Sequence, residues 1–373
     1  MTNFSVTTQV KSGVGSLNYL KRFSNKKIWV ICDGFLADGP LYARLENILT
    51  QKNEVILFGG ITPDPDIEMV VAGIAELEKV RPQIIIGFGG GSAIDAAKAI
   101  YYFATQQKEL KLALELCIAI PTTSGTGSEV SCATVISDKK TGKKFPIFDT
   151  VIYPDVAILD PELTTSLPKT ITANTGMDVL THAIEAFVSV DANDFTDALA
   201  EKAAHLVFQY LPTACSNGKC LATREKMHNA SAMAGMAFSN AGLGLNHAIA
   251  HQLGGQFKLA HGLVNSLLLP HVIRCNAKNI RARKRYARLA KYCQLCPKSI
   301  NDKAAVNQLI FHVCQLQRKI HIKNSLRACN LDNKEVRAKI PEMITAALSD
   351  STIKTNPYTA SENEIKALIE AVL

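Results

Sequence analysis

The chain has no uncharged apolar run near the roughly 20 residues that a membrane-spanning helix requires, so no helical membrane protein is expected. Its first residues, MTNFSVTTQVKSG, lack the apolar core of a signal peptide. Ten cysteines are scattered without the spacing of a disulfide framework, which suits a reducing cytosol. The one close pair, Cys293-x-x-Cys296, has no second CxxC to complete a metal site and reads as two residues near a helix end. Internal repeats and low-complexity segments are also missing. These absences leave a soluble cytoplasmic protein, and 373 residues suffice for two domains.

Composition is ordinarily globular, with 47% hydrophobic and 20% charged residues. The formal net charge of +8 raises nucleic acid as a partner. Much of the excess lies in Arg281, Arg283, Lys284, Arg285, Arg288 and Lys291, with Tyr286, Leu289 and Ala290 interleaved at helical spacing. That pattern is one amphipathic helix with a solvated basic face, so neither nucleic acid nor a membrane is expected as a partner.

In the first part of the chain, strand and helix patterns alternate. Residues 4–10 alternate as an edge strand or a hairpin would, turning at Gly13 and Gly15. Lys26–Cys32, Glu54–Phe58, Gln83–Phe88 and Cys117–Ile120 read as short buried strands, the second closed by Gly59-Gly60. Helices are expected over 39–51 and 66–80, and further strands at Thr134–Ile136 and Val156–Leu159 around a polar excursion, 138–144. This alternation implies a parallel sheet covered on both faces. From Thr170 onward the pattern is helical. The expected architecture is therefore an α/β domain over 1–168, then an all-α domain over 169–373.

The stretch Gly89-Gly90-Gly91-Ser92-Ala93-Ile94-Asp95 follows a buried strand and opens a helix over 93–103. Ser92 and Asp95 have the spacing of a capping box, which would make this a plain capped turn. Three glycines exceed what a turn needs, and bare backbone at a helix N-terminus is a ready phosphate site. It is not GxGxxG, which occurs at no strand-to-helix turn of this chain. Asp33 ends an early strand, where a carboxylate can accept hydrogen bonds from a ribose. Its neighbours Ile31, Cys32, Gly34 and Phe35 include no arginine to offset a 2′-phosphate, so NADH is expected over NADPH. A turn aspartate in an Asp-Gly pair is the plainer alternative. The loop 121–129, PTTSGTGSE, could wrap a ligand or be an ordinary hydroxyl-rich loop.

In the helical part, Asp178 and His182 are four residues apart on an otherwise apolar helix and so share a face. His247 and His251 repeat that spacing on a second apolar helix, and His261 follows a short break. Each pair alone could be a hydrogen-bonded pair in a core. Five such residues on apolar helices are costly unless compensated, and side chains of this kind can supply four ligands to one divalent cation. The glutamate of HExxH is lacking, so this is not the zinc-protease pattern.

Together, GGGSAIDAAKAI, PTTSGTGSEV, PDVAILDPEL, TGMDVLTHAIEAF and GLGLNHAIAHQLGGQFKLAHGL resemble the group III metal-dependent, or iron-containing, alcohol dehydrogenases over nearly the whole chain. Within the family, residues 1–40 and TANTGMDVLTHAIEAF resemble the branch of bacterial 1,2-propanediol utilisation most, and the ethanol-utilisation branch next. The resemblance implies a dinucleotide domain, a helical domain and a cleft between them. It assigns the metal to Asp178, His182, His247 and His261, and places His251 beside the substrate as a proton relay. Cofactor contacts carry over to Asp33, Asp64, Gly89, Gly90, Gly91, Ser92, Asp95, Thr122, Thr123, Thr126, Val135 and Lys144. Gln252 and Ala260 stand where proline is usual, and Asp64 where asparagine is frequent. None of these changes removes a ligand.

The implied function is NADH-dependent reduction of propionaldehyde to 1-propanol, with Fe2+ as the metal and Zn2+ as its alternative. A lactaldehyde, polyol or ethanol oxidoreductase on the same scaffold is the neighbouring reading. A non-catalytic microcompartment assembly protein would be favoured by loss of a ligand, and all four ligands are present. The partners this implies are a small aldehyde or alcohol, other copies of the chain and bacterial microcompartment proteins.

Overall fold

The computed structural model describes residues 4–107, 113–139 and 143–373, without the side chains of Lys143 and Lys144. By packing, the chain divides into a sheet unit, Val6–Ser166 with Lys219–Ala232, and a helical unit, Leu167–Gly218 with Met233–Leu373 and the described residues up to Ser5. Dividing the sequence at 168 assigns Lys219–Ala232 to the helical part. Their packing differs because Ser124 Oγ meets His228 Nδ1 at 3.0 Å and Ser12 Oγ donates to Asn229.

The sheet unit runs β1 (Gln9–Ser12), β2 (Lys27–Asp33), α1 (Gly34–Ala37), α2 (Pro40–Leu49), β3 (Glu54–Ile61), α3 (Ile67–Val80), β4 (Ile84–Gly89), α4 (Gly91–Gln106), β5 (Leu116–Pro121), β6 (Ala133–Asp138), β7 (Lys143–Phe148) and β8 (Val156–Leu159). Six strands form one sheet in the order β1-β8-β5-β4-β2-β3, with every neighbouring pair parallel. Side-chain alternation buries both faces. Ile28, Val30 and Cys32 of β2 join Tyr42, Leu45 and Leu49 of α2 on one side. Trp29 and Ile31 join Val70 and Leu77 of α3 and the alanines of α4 on the other. The chain steps outward from β2 to β3, then returns to lay β4 on β2's other edge. The strand order thus reverses between β2 and β4, where ligands bind in open sheets of this kind.

Four local readings are corrected. Gly59 and Gly60 lie inside β3 instead of closing it. The first strand is Gln9–Ser12, later than the alternation at 4–10 suggests, because its pairing with β8 starts at Gln9–Val156. Thr134–Ile136 belongs to a separate antiparallel pair, β6 with β7, and the 138–144 excursion includes the start of β7. The α4 helix begins at Gly91 with Gly90 as its cap, and Ser92 and Asp95 form no capping box. Their side chains bond elsewhere, as described below.

The helical unit contains α5 (Lys169–Val188), α6 (Asp194–Ser216), the second part of α7 (Leu221–Ala241), α8 (Leu245–Phe257), α9 (His261–Asn276), α10 (Ile280–Tyr292), α11 (Asp302–Lys319), α12 (Asn333–Ser349) and α13 (Glu362–Glu370). Apolar faces of α8, α9, α12 and α13 form its core, including Leu245, Ile249, Leu268, Met343 and Ile369. Part of α10's basic face is engaged instead of solvated. Arg285 donates to the Phe187 carbonyl, pairs with Asp197 and lies over the Phe187 ring, while Arg288 pairs with Asp197 and Glu201. No helix among the described residues is long and apolar enough to cross a membrane.

Candidate metal centre and cofactor loop

Three helices of the helical unit supply the polar cluster. Asp178 and His182 project from α5, His247 from α8, and His261 is the first residue of α9. The approach of α9 to α5 depends on Gly262, where a Cβ would lie 2.1 Å from the Asn174 carbonyl. That contact brings His261 Nε2 to 3.7 Å from Asp178 Oδ1, with His247 Nε2 at 3.9 Å from the same oxygen. The His182 and His247 rings stack with centroids 4.6 Å apart. One donor atom from each of Asp178, His182, His247 and His261 lies within 4.8 Å of the other three.

This donor set fits a divalent cation. Four ligands about 2.1 Å from a tetrahedral centre are separated by roughly 3.4 Å, so small side-chain movements close the shell. Asp178, His182 and His247 are buried, and His261 is half-exposed, which leaves an approach from one side. Burial, foremost, and then the neighbouring His182, His261 and His251 push the His247 pKa well below its ordinary value. A neutral imidazole with an available lone pair is the form that ligates. Three imidazoles and one carboxylate suit Fe2+ and Zn2+ alike.

His251 lies outside this shell. Its Nδ1 is 2.8 Å from Asp350 Oδ2, and its ring stacks on His261 at 5.4 Å. Burial pushes the Asp350 carboxyl up, but the hydrogen bond and charge of His251 and the donors of Thr352 bring it below its ordinary value. Asp350, far along the chain, carries no sequence signal that joins it to His251. Glu185 and Asn265 are also missed by the spacing argument, although Glu185 follows His182 by three positions on the same face of α5. Its Oε2 is 2.5 Å from His247 Nδ1; burial pushes its carboxyl up, and the backbone donors of Asn246, Gly244 and His247 oppose that rise. Asn265 is fully buried against Asp178, its Nδ2 2.7 Å from Oδ1.

In the sheet unit, the expected cofactor residues gather at the carboxyl end of the strands. Asp33 ends β2 and is 4% exposed, with its Oδ2 accepting from the Gly90 amide at 2.6 Å. Burial raises its pKa, and the Gly90 bond opposes that rise. Gly89 has φ +150°, and a Cβ there would sit 2.3 Å from Asp33 Oδ2, while a Cβ on Gly91 would sit 2.5 Å from Thr126 Cγ2. These glycines therefore keep a narrow backbone cradle at the start of α4, suited to a pyrophosphate. Ser92 Oγ accepts from the Asp64 amide at 3.3 Å, and Asp64 adopts φ +55°. Asp95 accepts from Ser128 Oγ at 2.5 Å and from the Val135 amide at 3.3 Å. The Thr122 amide donates to the Gly89 carbonyl, and Thr123 lies next to Gly90. Lys144 pairs with Ser137 along β7, and its side chain lies outside the described part.

Lys98 gives no sequence signal beyond its place in a helix, yet it organises this loop. It is fully buried on α4, and its Nζ donates to the carbonyls of Ser128, Ser131 and Ala133 at 2.5–2.9 Å. One cation thereby fixes the chain between the 121–129 loop and β6.

Comparison with known proteins agrees with both halves of the chain. Residues 7–161 match the family described as iron-containing alcohol dehydrogenase, and residues 172–373 its C-terminal part. The chain is 59% identical over 373 residues to a Salmonella typhimurium protein named 1-propanol dehydrogenase PduQ, with both chains covered completely. It is 57% identical, with the same coverage, to the Citrobacter freundii protein of that name. Among solved structures, a 1,3-propanediol oxidoreductase superposes with TM-score 0.92 at 33% identity, covering 100% of each chain.

Proposed function

The chain belongs to the iron-containing alcohol dehydrogenase family, and on that premise we propose that it reduces propionaldehyde to 1-propanol with NADH, regenerating NAD+. The observation that carries this reading is the cluster of Asp178, His182, His247 and His261, intact in a chain 57–59% identical over its full length to proteins named 1-propanol dehydrogenase.

A bound Fe2+, with Zn2+ as the alternative, supplies Lewis-acid polarisation of the substrate carbonyl, and NADH supplies the hydride. Asp178, His182, His247 and His261 would hold the cation, and His261 is the partly exposed member of that set. The product oxygen needs a proton. His251 is the group assigned to that task, with Asp350 on Nδ1 orienting the ring so that Nε2 makes the transfer. Gly89, Gly90, Gly91 and Ser92 receive the pyrophosphate, and Asp33 the adenine ribose. Asp64, Asp95, Thr122, Thr123, Thr126, Val135 and Lys144 are the remaining residues proposed to contact the cofactor. The setting proposed is bacterial propanediol utilisation, with microcompartment proteins and further copies of the chain as partners.

The test is anaerobic purification, metal analysis and NADH oxidation across acetaldehyde, propionaldehyde, butyraldehyde and lactaldehyde. Propionaldehyde is expected to give the highest kcat/KM, and chelation to abolish turnover. Metal-loaded protein that oxidises NADH with no short aldehyde would refute the assignment.

A further inference from the structure

We propose that Glu185 is a positioning residue for the metal: by accepting the Nδ1–H of His247, it holds that imidazole with the Nε2 lone pair facing the other ligands. The inference rests on the metal reading above.

The proton's place follows from a chain of groups anchored at a backbone carbonyl, which can only accept. Asn246 Nδ2 is 3.1 Å from the Asn265 carbonyl oxygen and 2.9 Å from Asn265 Oδ1. Asn246 therefore presents its amide nitrogen to Asn265, and Asn265 presents its side-chain oxygen in return. The nitrogen of Asn265 must then face the cluster. It lies 2.7 Å from Asp178 Oδ1, 3.1 Å from His247 Nε2 and 3.0 Å from His261 Nε2. The two hydrogens of this nitrogen cannot serve all three acceptors at once, but a carboxamide nitrogen accepts from none of them, so an Nε2–H directed at it is disfavoured and the proton of a neutral His247 sits on Nδ1.

For His247 the acceptor of that proton is Glu185 Oε2, 2.5 Å away. The other oxygen of Glu185 accepts from the Asn246 amide at 2.7 Å, in the first turn of α8. A single carboxylate therefore fixes the ring's tautomer and the start of the helix that carries it. Asp178, His182 and Glu185 stand at i, i+4 and i+7 on α5, so one helical face supplies two ligands and the group that orients a third.

A Glu185 that merely tied α8 to α5 would affect stability without a selective effect on the metal. Glu185→Gln separates the two roles. Glutamine keeps the volume and one acceptor, but its Nε2–H meets the Nδ1–H of His247, favouring the opposite tautomer. Zn2+ affinity, measured by competition with a chromophoric chelator, is expected to fall by about 10–100-fold, while NADH affinity is unchanged. His247→Ala, measured in parallel, tests the ligand assignment itself. If His247→Ala kept wild-type Zn2+ affinity, the metal reading would fail. If it lost Zn2+ while Glu185→Gln kept wild-type affinity, the role given to Glu185 would fail. Should Glu185→Gln not fold, nitrogen NMR of histidine-labelled wild-type protein, before and after Zn2+ is added, decides the matter. An exchange-protected proton on His247 Nδ1 in both states is expected, and a proton on Nε2 before Zn2+ addition would overturn the proposal.

Discussion

Replacing Asp33 by asparagine should move cofactor preference from NADH towards NADPH. The structure favours asparagine over glycine for this purpose, because Asp33 Oδ2 accepts from the Gly90 amide at 2.6 Å. An asparagine side chain would retain an oxygen for that bond and remove only the charge, whereas Asp33→Gly would also release the cradle. Two unit charges about 5 Å apart at an effective dielectric of about 20 repel by roughly 3 kcal/mol. Screening of a 2′-phosphate that faces solvent reduces this to about 1.5–3 kcal/mol, or roughly 10–100-fold in kcat/KM for NADPH. Loss of a charged acceptor for the ribose should cost NADH about 1 kcal/mol, a further factor of roughly five. The assay is kcat/KM for both cofactors at saturating propionaldehyde, repeated across pH. Burial raises the Asp33 pKa, so the ionised form that repels the phosphate is complete only above that raised value and is lost as pH falls through it. Wild-type preference for NADH should therefore weaken at the acidic end, while the Asp33→Asn ratio stays flat. An unchanged ratio in the variant would mean that Asp33 serves only the loop.

Three further outcomes follow from the geometry. His261→Ala should lower metal content and turnover together while NADH still binds, and a variant with full metal and wild-type rate would remove His261 from the shell. His251→Ala should keep its metal but lose about 10²–10⁴-fold in kcat, the usual value of a general acid, and loss of stoichiometric metal would return His251 to the ligands. Lys98→Met should take the Lys98 donor from three carbonyls, of which Ser128 keeps the Ser131 amide and Ala133 the Ser131 hydroxyl, at about 1–3 kcal/mol in all, lowering the melting temperature and raising KM for NADH. An unaltered KM for NADH in that variant would show that the 128–133 segment does not need its brace for cofactor binding.

The parts legible in the sequence were those with a period or a dense local pattern. The succession of strand and helix patterns predicted a parallel sheet covered on both faces, and the continuous apolar run of β2 fits it because successive residues there face opposite ways. Four-residue spacing placed Asp178 with His182 and His247 with His251 on common faces. Spacing could not say which of the second pair faces Asp178 and His182, since that depends on Asp350 reaching His251 from the turn that follows α12. Glu185, Asn265 and Lys98 were silent for a related reason. Their roles come from which lone pair or carbonyl lies opposite, and that is fixed by tertiary packing. The capping box failed because Ser92 and Asp95 found better partners in Asp64, Ser128 and Val135 than in their own helix end.

The origin of the proposed ligands in three separate helices would give a bound cation a second consequence, as a cross-link. Binding to α5, α8 and α9 together ties residues distant in the chain, a constraint that the unfolded chain cannot reproduce. At a free-metal concentration about a thousand times Kd, such linkage contributes roughly 4 kcal/mol to the folded state. The sheet unit contributes none of these ligands. A chelator is therefore expected to act as a selective denaturant, loosening α5, α8 and α9 while leaving the parallel sheet near its original stability. Proteolysis of metal-depleted protein should begin among those helices, so that metal supply governs the protein's lifetime as well as its rate.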